Sequence, residues 1–256
     1  MRIVTWNVNS LRARLPRVLE FLADRRPDVA CLQETKCAPD TFPAGELAAA
    51  GYGSLHSSGG QWAGVAILAR DGLAITSPEL ALAGDAIPSE ARWCEATVDG
   101  IRLASVYVPN GRALDSPEFP RKLSFLDAMA ARAAQLGGEP LLIAGDMNIA
   151  PADADVYDPV AFAGSTHVTP EERGRLKRIL AEGELVDAYR QLHPDETQFT
   201  WWDYRAGHFH KGLGLRIDLA LLSRSLTARL SGCAIVRDYR KGTKPSDHAP
   251  LVVDLA

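Results

Sequence analysis

Short runs of apolar residues alternate along the chain with segments in which apolar residues recur every three or four positions. The short runs predict strands at residues 3–6, 29–32, 65–69, 103–108, 141–144, 215–222 and 251–255. Several of these runs show little polar alternation, which is typical of strands that are buried on both faces of a sheet. We therefore expect sheets that are covered by helices.

The helical spacing appears in two stripes, at positions 15–22 and 123–130, and Pro27 ends the first of them. Thr169 followed by Pro170 and two acids is typical of a helix start. Residues 151–167 are rich in Asp, Ala and Pro, and we expect a long loop there. No linker or low-complexity segment interrupts the pattern, so the prediction is one α/β domain over residues 1–256.

The charge distribution changes the first impression of the composition. A net charge of −4 argues at first sight against a nucleic-acid partner. Residues 201–248, however, hold nine Lys or Arg and four acids, so this quarter carries +5 and the rest carries −9. The basic quarter, with Lys241 and Lys244 beside Arg240, could face a phosphate backbone or be a solvated surface, and the charge alone leaves both open.

The sequence suggests neither secretion nor a membrane span. The chain opens on an apolar run without the features of a secretory signal, and no run approaches the roughly 18 apolar residues of a membrane span. The four cysteines form no C-x-x-C pair and fit no common zinc spacing. We expect a cytoplasmic protein with reduced thiols, without membrane contact, and a monomer.

Residues able to bind metal or phosphate follow one predicted strand after another. If these strand ends converge, their carboxylates would repel one another, and a divalent cation would remove the conflict. Oxygen ligands favour Mg²⁺ or Mn²⁺ over Zn²⁺. The residues concerned are Asn7, Glu34, Tyr107, Asn110, Asp146, Asn148, Asp218, Asp247 and His248.

This set of side chains suits the hydrolysis of a phosphodiester. A divalent cation neutralises charge on the phosphoryl oxygens, and one carboxylate can orient the imidazole of His248. A second carboxylate can deprotonate water, and Asn and Tyr can donate hydrogen bonds to phosphate oxygens.

Six segments in order resemble exonuclease III and the wider endonuclease/exonuclease/phosphatase superfamily. They span almost the whole chain: TWNVNSLR at 5–12, LQETK at 32–36, YVPNG at 107–111, GDMNI at 145–149, GLRID at 214–218 and PSDHAP at 245–250. The resemblance implies a four-layered α/β sandwich of the deoxyribonuclease I-like kind. Its two facing mixed sheets are covered by helices, and the site lies at their shared edge.

The resemblance also implies roles for these residues. Mg²⁺, with Mn²⁺ as a possible substitute, would be held chiefly by Glu34, with Asn7, Asp146, Asn148 and Asp247 as further metal-site residues. Among the catalytic residues, Asp146 would activate water that Asn148 helps to place. Asp218 would pair with His248, which contacts the scissile phosphate, and Tyr107 would touch the phosphate.

The implied substrate is double-stranded DNA with abasic sites or 3′ ends, cleaved 5′ to abasic sites and trimmed or unblocked at 3′ ends in base excision repair. An apolar abasic-sugar pocket would be formed by Trp201, Leu215 and Ile217, and one of Trp201 and Trp202 would meet the DNA. The expected phosphate or DNA contacts are Lys36, Asn110, Arg112, Arg216, Lys241 and Lys244.

Two other functions stay open on the sequence alone. The same catalytic core could act on another phosphoester, such as sphingomyelin, an inositol phosphate or an RNA tail. A non-catalytic DNA-binding module is the alternative from a different class, and it predicts a damaged catalytic position, which the sequence does not show.

Overall fold

The computed structural model describes residues 1–256 and contains twelve strands and seven α-helices. The helices are α1 Leu11–Arg25, α2 Ala44–Ala49, α3 Glu118–Gln135, α4 Pro170–Glu182, α5 Ala188–Leu192, α6 His208–Lys211 and α7 Arg224–Thr227. The strands are β1 Arg2–Asn7, β2 Val29–Gln33, β3 Tyr52–Ser57, β4 Val65–Arg70, β5 Ile75–Glu79, β6 Trp93–Val98, β7 Ile101–Tyr107, β8 Leu141–Asp146, β9 Leu185–Asp187, β10 Asp218–Ser223, β11 Leu230–Ile235 and β12 Leu251–Leu255.

The strands form two mixed sheets of six. The first has the order β11-β12-β1-β2-β4-β3 and the second β5-β6-β7-β8-β10-β9. Each sheet contains one parallel pair near its middle, β1 with β2 and β7 with β8, and the other pairs are antiparallel. The carboxyl ends of both parallel pairs provide the strand ends at which clefts form in layered α/β folds.

Three buried apolar clusters separate the four layers of the fold. One buried cluster fills the space between the two sheets and includes Val29 and Ile67 from the first and Leu103 and Leu142 from the second. A second cluster joins the outer face of the second sheet to α3 and α4, and a third joins the first sheet to α1 and α2. The predicted sandwich of two mixed sheets covered by helices is confirmed.

The strands that the sequence pattern did not predict are mostly at the sheet edges. β11 and β3 border the first sheet and β5 and β9 the second, and only the unpredicted β6 lies inside. Edge strands have one neighbour, so they need no continuous apolar run; β5 is almost entirely exposed. β6 escapes the pattern because it carries a buried charge, Glu95, which pairs with Arg102 and Arg132.

One predicted strand boundary was wrong in a way that matters for the site. Within the run at 215–222, the sequence predicts that residues 215–217 form a strand that ends at Asp218, but Asp218 is the first residue of β10. β10 runs antiparallel to β8, and Asp218 lies opposite Asp146, the last residue of that strand. The start of an antiparallel strand therefore brings its side chain to the same edge as the end of its neighbour.

The predicted helix start at Thr169 is confirmed. Thr169 caps α4, with its hydroxyl accepting from the backbone N–H of Glu172 and the Glu172 carboxylate accepting from the backbone N–H of Thr169. The four cysteines are buried and unpaired. None of the helices has the length and apolar character that a membrane crossing requires.

Candidate active site

The site lies at one edge of the sandwich, where β1, β2, β7 and β8 end and β10 begins. Asn7 and Asp146 are the last residues of their strands, Asp218 is the first of β10, and Glu34 follows β2 directly. The predicted convergence of polar strand ends is therefore present in the fold.

Two carboxylates meet at the centre of this edge. Asn7 bridges them, since its Nδ2 donates to Glu34 Oε1 at 2.7 Å and to Asp146 Oδ2 at 2.9 Å. One potential ligand atom from each of Glu34, Asp146 and His248 lies within 4.8 Å of the others. The Asn7 amide presents its nitrogen to the carboxylates, because its Oδ1 accepts from the backbone N–H of Asn9 at 3.0 Å. The Asn7 side chain therefore orients both carboxylates.

The imidazole of His248 stands between two aspartates. Its Nδ1 lies 2.8 Å from Asp218 Oδ2, and its Nε2 lies 3.8 Å from Asp146 Oδ2. Asp218 is held by its own backbone N–H, which donates to the hydroxyl of Thr200 at 3.0 Å. The loop before His248 is tied to β1, since Ser246 Oγ donates to the carbonyl of Asn7 at 2.7 Å.

These neighbours shift the protonation of both central groups. Burial raises the pKa of Asp146, the charges of Asp218 and Glu34 raise it further, and His248 lowers it, giving a pKa of about 7. Burial alone would lower the pKa of His248, but the charges of Asp218 and Asp146 outweigh it and raise the pKa to about 10. At neutral pH the ring is therefore an imidazolium, with its Nε2 proton toward Asp146.

Asn148 is fixed by contacts on every side. Its backbone N–H donates to Asp146 Oδ1 at 2.9 Å, its Nδ2 donates to the carbonyl of Val108 at 2.9 Å, and its Oδ1 accepts from Asn110 Nδ2 at 3.1 Å. The residue has a φ of 50°, in the left-handed region, as does Glu34 at 50°. Residues with such sparsely populated backbone conformations cluster at functional sites, where contacts with the surrounding structure hold them.

Lys36 and Asp247 complete the polar edge. Lys36 Nζ lies 2.7 Å from Glu34 Oε2 and donates to Asn9 Oδ1 at 2.6 Å. Asp247 accepts from Asn9 Nδ2 at 2.9 Å and from Trp201 Nε1 at 3.0 Å. Both oxygens of Asp247 are thus occupied by donors, and the residue orients its neighbours while standing outside the group of closest ligand atoms.

Tyr107 and two expected DNA-binding residues line a groove beside these carboxylates. Tyr107 is nearly buried, and the Arg92 guanidinium lies 4.7 Å from its ring centre. Burial and the charges of Glu34 and Asp146 raise the pKa of Tyr107, so the phenol stays protonated and can donate. The groove, of about 340 Å³, also contains Asn110 and Arg112. Arg112 is largely exposed and pairs with Glu118 at 3.0 Å.

The expected DNA contact by Arg216 is contradicted by the structure. The side chain is 1% exposed and is paired with Asp155 and Asp187, each at 2.7 Å. A guanidinium held below the surface by two carboxylates cannot meet a phosphate backbone. The motif position is close to the site, but its side chain points into the protein and joins residues 151–167 to β9.

The basic quarter does not form one surface. Lys241 and Lys244 are exposed on the segment that leads to Asp247, at the site edge, although Lys241 also pairs with Asp238 at 2.6 Å. Arg224 and Arg229 follow β10 and precede β11 at the opposite edge of the sheets. Of these two pairs, the segment around Lys241 and Lys244 is therefore the candidate for phosphate contact.

The expected abasic-sugar residues do share one apolar cluster. Leu215 and Ile217 are buried, with 1% and 3% exposure, and Trp201 packs against them while partly exposed. Phe162 and Val168 complete the accessible side of this cluster. Trp202 is buried against Phe209, so Trp201 is the tryptophan that can face a substrate.

The donor set fits a divalent cation. Four carboxylates surround the site edge, namely Glu34, Asp146, Asp218 and Asp247, against two cationic groups, Lys36 and His248. The excess negative charge and the oxygen donors suit Mg²⁺ or Mn²⁺. Glu34 and Asp146 would hold the ion, because a protonated imidazole paired with Asp218 has no lone pair to give.

Some supporting residues carry no sequence signal of their role. Thr200 holds the start of β10 through the N–H groups of Ile217 and Asp218, and nothing in its local sequence indicates this. Lys122 is buried beneath Asn110 and Asn148 on the same face of α3 as Phe125 and Leu126, but that position does not indicate which groups its ammonium contacts. Trp62 lines the groove that contains Tyr107 and is 79% exposed. The sequence did not indicate it, because it follows two glycines and a glutamine and lies outside any apolar run.

Comparison with known proteins shows similarity to phosphoester-cleaving enzymes over nearly the whole chain. The model of the endonuclease/exonuclease/phosphatase family matches residues 4–248. Exodeoxyribonuclease III of Haemophilus influenzae is 32% identical over 98% of this chain and 98% of its own.

Two solved structures superpose closely. A Neisseria 3′ phosphatase, NExo, bound to a product DNA hairpin, is 39% identical with a TM-score of 0.95, and the match covers 100% of this chain and 99% of that one. An AP endonuclease from Archaeoglobus fulgidus is 33% identical with a TM-score of 0.95 over 100% of this chain and 99% of its own. With the carboxylates, the paired histidine and the two-sheet frame all in place, this chain belongs to the endonuclease/exonuclease/phosphatase family.

Proposed function

We propose that this chain is a Mg²⁺-dependent DNA repair nuclease that cuts duplex DNA 5′ to abasic sites and removes nucleotides or blocking groups from 3′ ends. The observation that carries the proposal is the meeting of Glu34, Asp146 and the Asp218–His248 pair at one sheet edge. The names of the relatives, an exodeoxyribonuclease III, a 3′ phosphatase and an AP endonuclease, support DNA as the substrate.

These activities share one chemical step. Water attacks phosphorus, the bond between phosphorus and O3′ breaks, and a 3′-hydroxyl remains on the DNA. Incision 5′ to an abasic site, exonuclease action and removal of a 3′-phosphate differ only in what the departing phosphate carries. One set of catalytic groups can therefore serve all three substrates.

The protein groups divide the step between them. Asp146 takes a proton from the attacking water, and Asn148, whose backbone N–H donates to the Asp146 carboxylate, helps to place that water. The imidazolium of His248 donates from Nε2 to a phosphoryl oxygen while Asp218 stabilises its charge. The departing O3′ takes a proton from solvent, and Asp146 then releases the proton that it took from water to solvent.

A bound divalent cation would neutralise negative charge on the phosphoryl oxygens. Asn110 and protonated Tyr107 would donate hydrogen bonds to the phosphate, and Lys36 pairs with Glu34. The flanking DNA would meet Arg112, Lys241 and Lys244. Trp201, with Phe162 and Val168, would receive the abasic sugar. Action as a monomer in the cytoplasm stays part of the proposal.

A panel of end-labelled duplexes tests this proposal. Intact, abasic-analogue and 3′-phosphorylated duplexes are incubated with Mg²⁺ or with chelator, alongside an inositol phosphate. We expect Mg²⁺-dependent nicking or 3′ trimming of DNA and no release from the inositol phosphate.

Variants of the same protein sharpen the result. Asp146→Asn and Glu34→Gln should each lower the rate by about 10²-fold or more, as is usual for groups that act in the transition state. Glu139→Gln, a change at an exposed carboxylate just before the far end of β8, is the matched control and should leave the rate unchanged. Equal activity in Asp146→Asn, or no Mg²⁺-dependent reaction of the wild type with any of the three duplexes, would refute the proposal.

A further inference from the structure

A buried ion pair lies directly beneath the loops that carry Asn110 and Asn148. Lys122 of α3 and Glu172 of α4 contact each other with both side chains at 0% exposure. Burying two charges costs solvation that their attraction barely repays, so such a pair is a weak source of stability. Its position next to catalytic loops points to a different use.

The Lys122 ammonium binds main-chain atoms of two site loops at once. It donates to the carbonyl of Asn148 at 2.7 Å and to that of Asn110 at 3.1 Å. Asn148 has a left-handed backbone, with a φ of 50°, that must be held from outside. The ring of His167 contacts the same carbonyl at 2.6 Å.

Glu172 connects this ammonium to the end of the long loop. Its Oε1 accepts from Thr166 Oγ1 and from the backbone N–H of His167, each at 2.9 Å. Its Oε2 accepts from the hydroxyl of Thr169 at 2.8 Å. One carboxylate therefore fixes the helix start, the loop end and the ammonium that reaches the site.

Gly111 shows how tightly the site loop packs on this pair. A Cβ at position 111 would lie 3.0 Å from Lys122 Cδ and 2.9 Å from Thr166 Oγ1, and the residue has a φ of +86°. The loop after Asn110 thus packs directly on the aliphatic part of Lys122. A change in the Lys122–Glu172 pair would therefore shift the main chain of this loop.

We propose that Lys122 and Glu172 are positioning residues that set the main chain of Asn110 and Asn148, and through it the side chains that face the phosphate. This inference rests on the proposed nuclease function. Catalytic groups need placement to within about 0.5 Å, and supporting contacts of this kind supply it. Neither residue touches substrate or the reacting atoms.

The decisive variant is Lys122→Met/Glu172→Gln, which removes both charges and leaves neither one buried without a partner. The measurements are kcat and KM on the 3′-phosphorylated and abasic duplexes, the melting temperature, and hydrogen exchange of peptides covering residues 108–112 and 146–149. We expect kcat to fall by about 10- to 100-fold, as for small misplacements of catalytic groups. KM should change by less than about threefold, because the positioning acts on the chemical step.

Glu95→Gln supplies a matched control. Glu95 is also buried and paired with two arginines, but Arg102 lies opposite Leu141, the first residue of β8, far from the site edge. This variant should lower the melting temperature and leave kcat unchanged. If the double variant folds and keeps wild-type kcat and exchange, or loses rate only in step with its melting temperature, the proposal is overturned.

Hydrogen exchange separates this inference from the function itself. Faster exchange at residues 108–112 and 146–149 in the double variant, with the rest of the protein protected, supports the positioning even if no DNA is cut. Unchanged exchange there contradicts it whatever the activity. If the double variant does not fold, the single variant Glu172→Gln, which keeps the Lys122 ammonium, is measured in the same way. We again expect a lower kcat and faster exchange at residues 108–112 and 146–149.

Discussion

Nδ1 of His248 lies 2.8 Å from Oδ2 of Asp218, and both side chains are almost completely buried. The second oxygen of Asp218 accepts no hydrogen bond from another protein group, so His248 is the side chain that this carboxylate contacts. A buried carboxylate in this position keeps the ring charged and fixes which nitrogen faces the substrate.

Replacing Asp218 by Asn should weaken His248 in both respects. The pKa of His248 should fall well below 10, because the charge of Asp218 is the largest influence that raises it. We expect kcat to drop by about 10²- to 10⁴-fold, as for other imidazoles that lose an orienting carboxylate. The alkaline limb of the pH–rate profile should move to lower pH, since the ring loses its proton earlier. NMR titration of His248 gives the pKa; an unchanged value would contradict the pairing.

Cation binding should depend on pH through Asp146. Its pKa is raised to about 7 without a metal, so below that pH a proton competes with the cation for the same carboxylate. We expect the apparent Kd for Mg²⁺ to rise by about tenfold for each pH unit below 7, as for one displaced proton. Calorimetric titration at pH 6 and pH 8 measures this. Equal affinity at both values would show that Asp146 does not hold the ion.

The buried Glu95 cluster should contribute stability that depends on pH. Burial alone would raise the pKa of Glu95, but Arg132 and Arg102 outweigh it and hold the pKa below its usual value. The contribution is therefore present above the unfolded pKa and is lost as the pH falls through the folded one.

Glu95→Gln makes that contribution measurable. At neutral pH it should cost about 3 kcal/mol of unfolding free energy, because it breaks a buried pair. Wild type and variant should converge in stability as the pH falls below about 4. Urea unfolding at a series of pH values compares them, and a gap that stays constant down to acid pH would count against the ion pair.

Lys241 and Lys244, on the exposed segment beside the site, should contact the phosphate backbone of the DNA. Lys241→Ala/Lys244→Ala should weaken DNA binding and lower the slope of log Kd against log salt by about 1 to 2, since each lost contact releases about one counterion fewer. Arg224→Ala/Arg229→Ala removes the same charge at the opposite edge and should change nothing. Fluorescence anisotropy over a salt series measures the slope for both double variants. Equal slopes would show that the segment around Lys241 and Lys244 does not contact the DNA.

Much of the site could be predicted because its residues follow recognisable strands in order. Glu34 and Asp146 stand where buried parallel strands end, and that position fixes their edge of the fold. Asp218 was placed at the right edge for the wrong reason, since it begins an antiparallel strand.

Other features could not be predicted because they depend on partners far along the chain. Arg216 sits within a matching segment, yet Asp155 and Asp187 draw it inward, and no local pattern indicates that pairing. Lys122 lies on the apolar face of α3 with Phe125 and Leu126, but its partner Glu172 lies fifty residues away, and no local pattern indicates that pairing. The edge strands β3, β5, β9 and β11 lack a continuous apolar run because one side has no neighbour.

The position of a bound cation tests the central claim most directly, because the proposed chemistry depends on a cation between two carboxylates from distant parts of the chain. Crystals soaked in Mn²⁺ would be examined by anomalous scattering at the manganese edge. We predict one peak in contact with both Glu34 and Asp146, and its loss in Glu34→Gln crystals. A peak elsewhere, or no peak at this edge of the sheets in crystals that otherwise bind Mn²⁺, would contradict the claim.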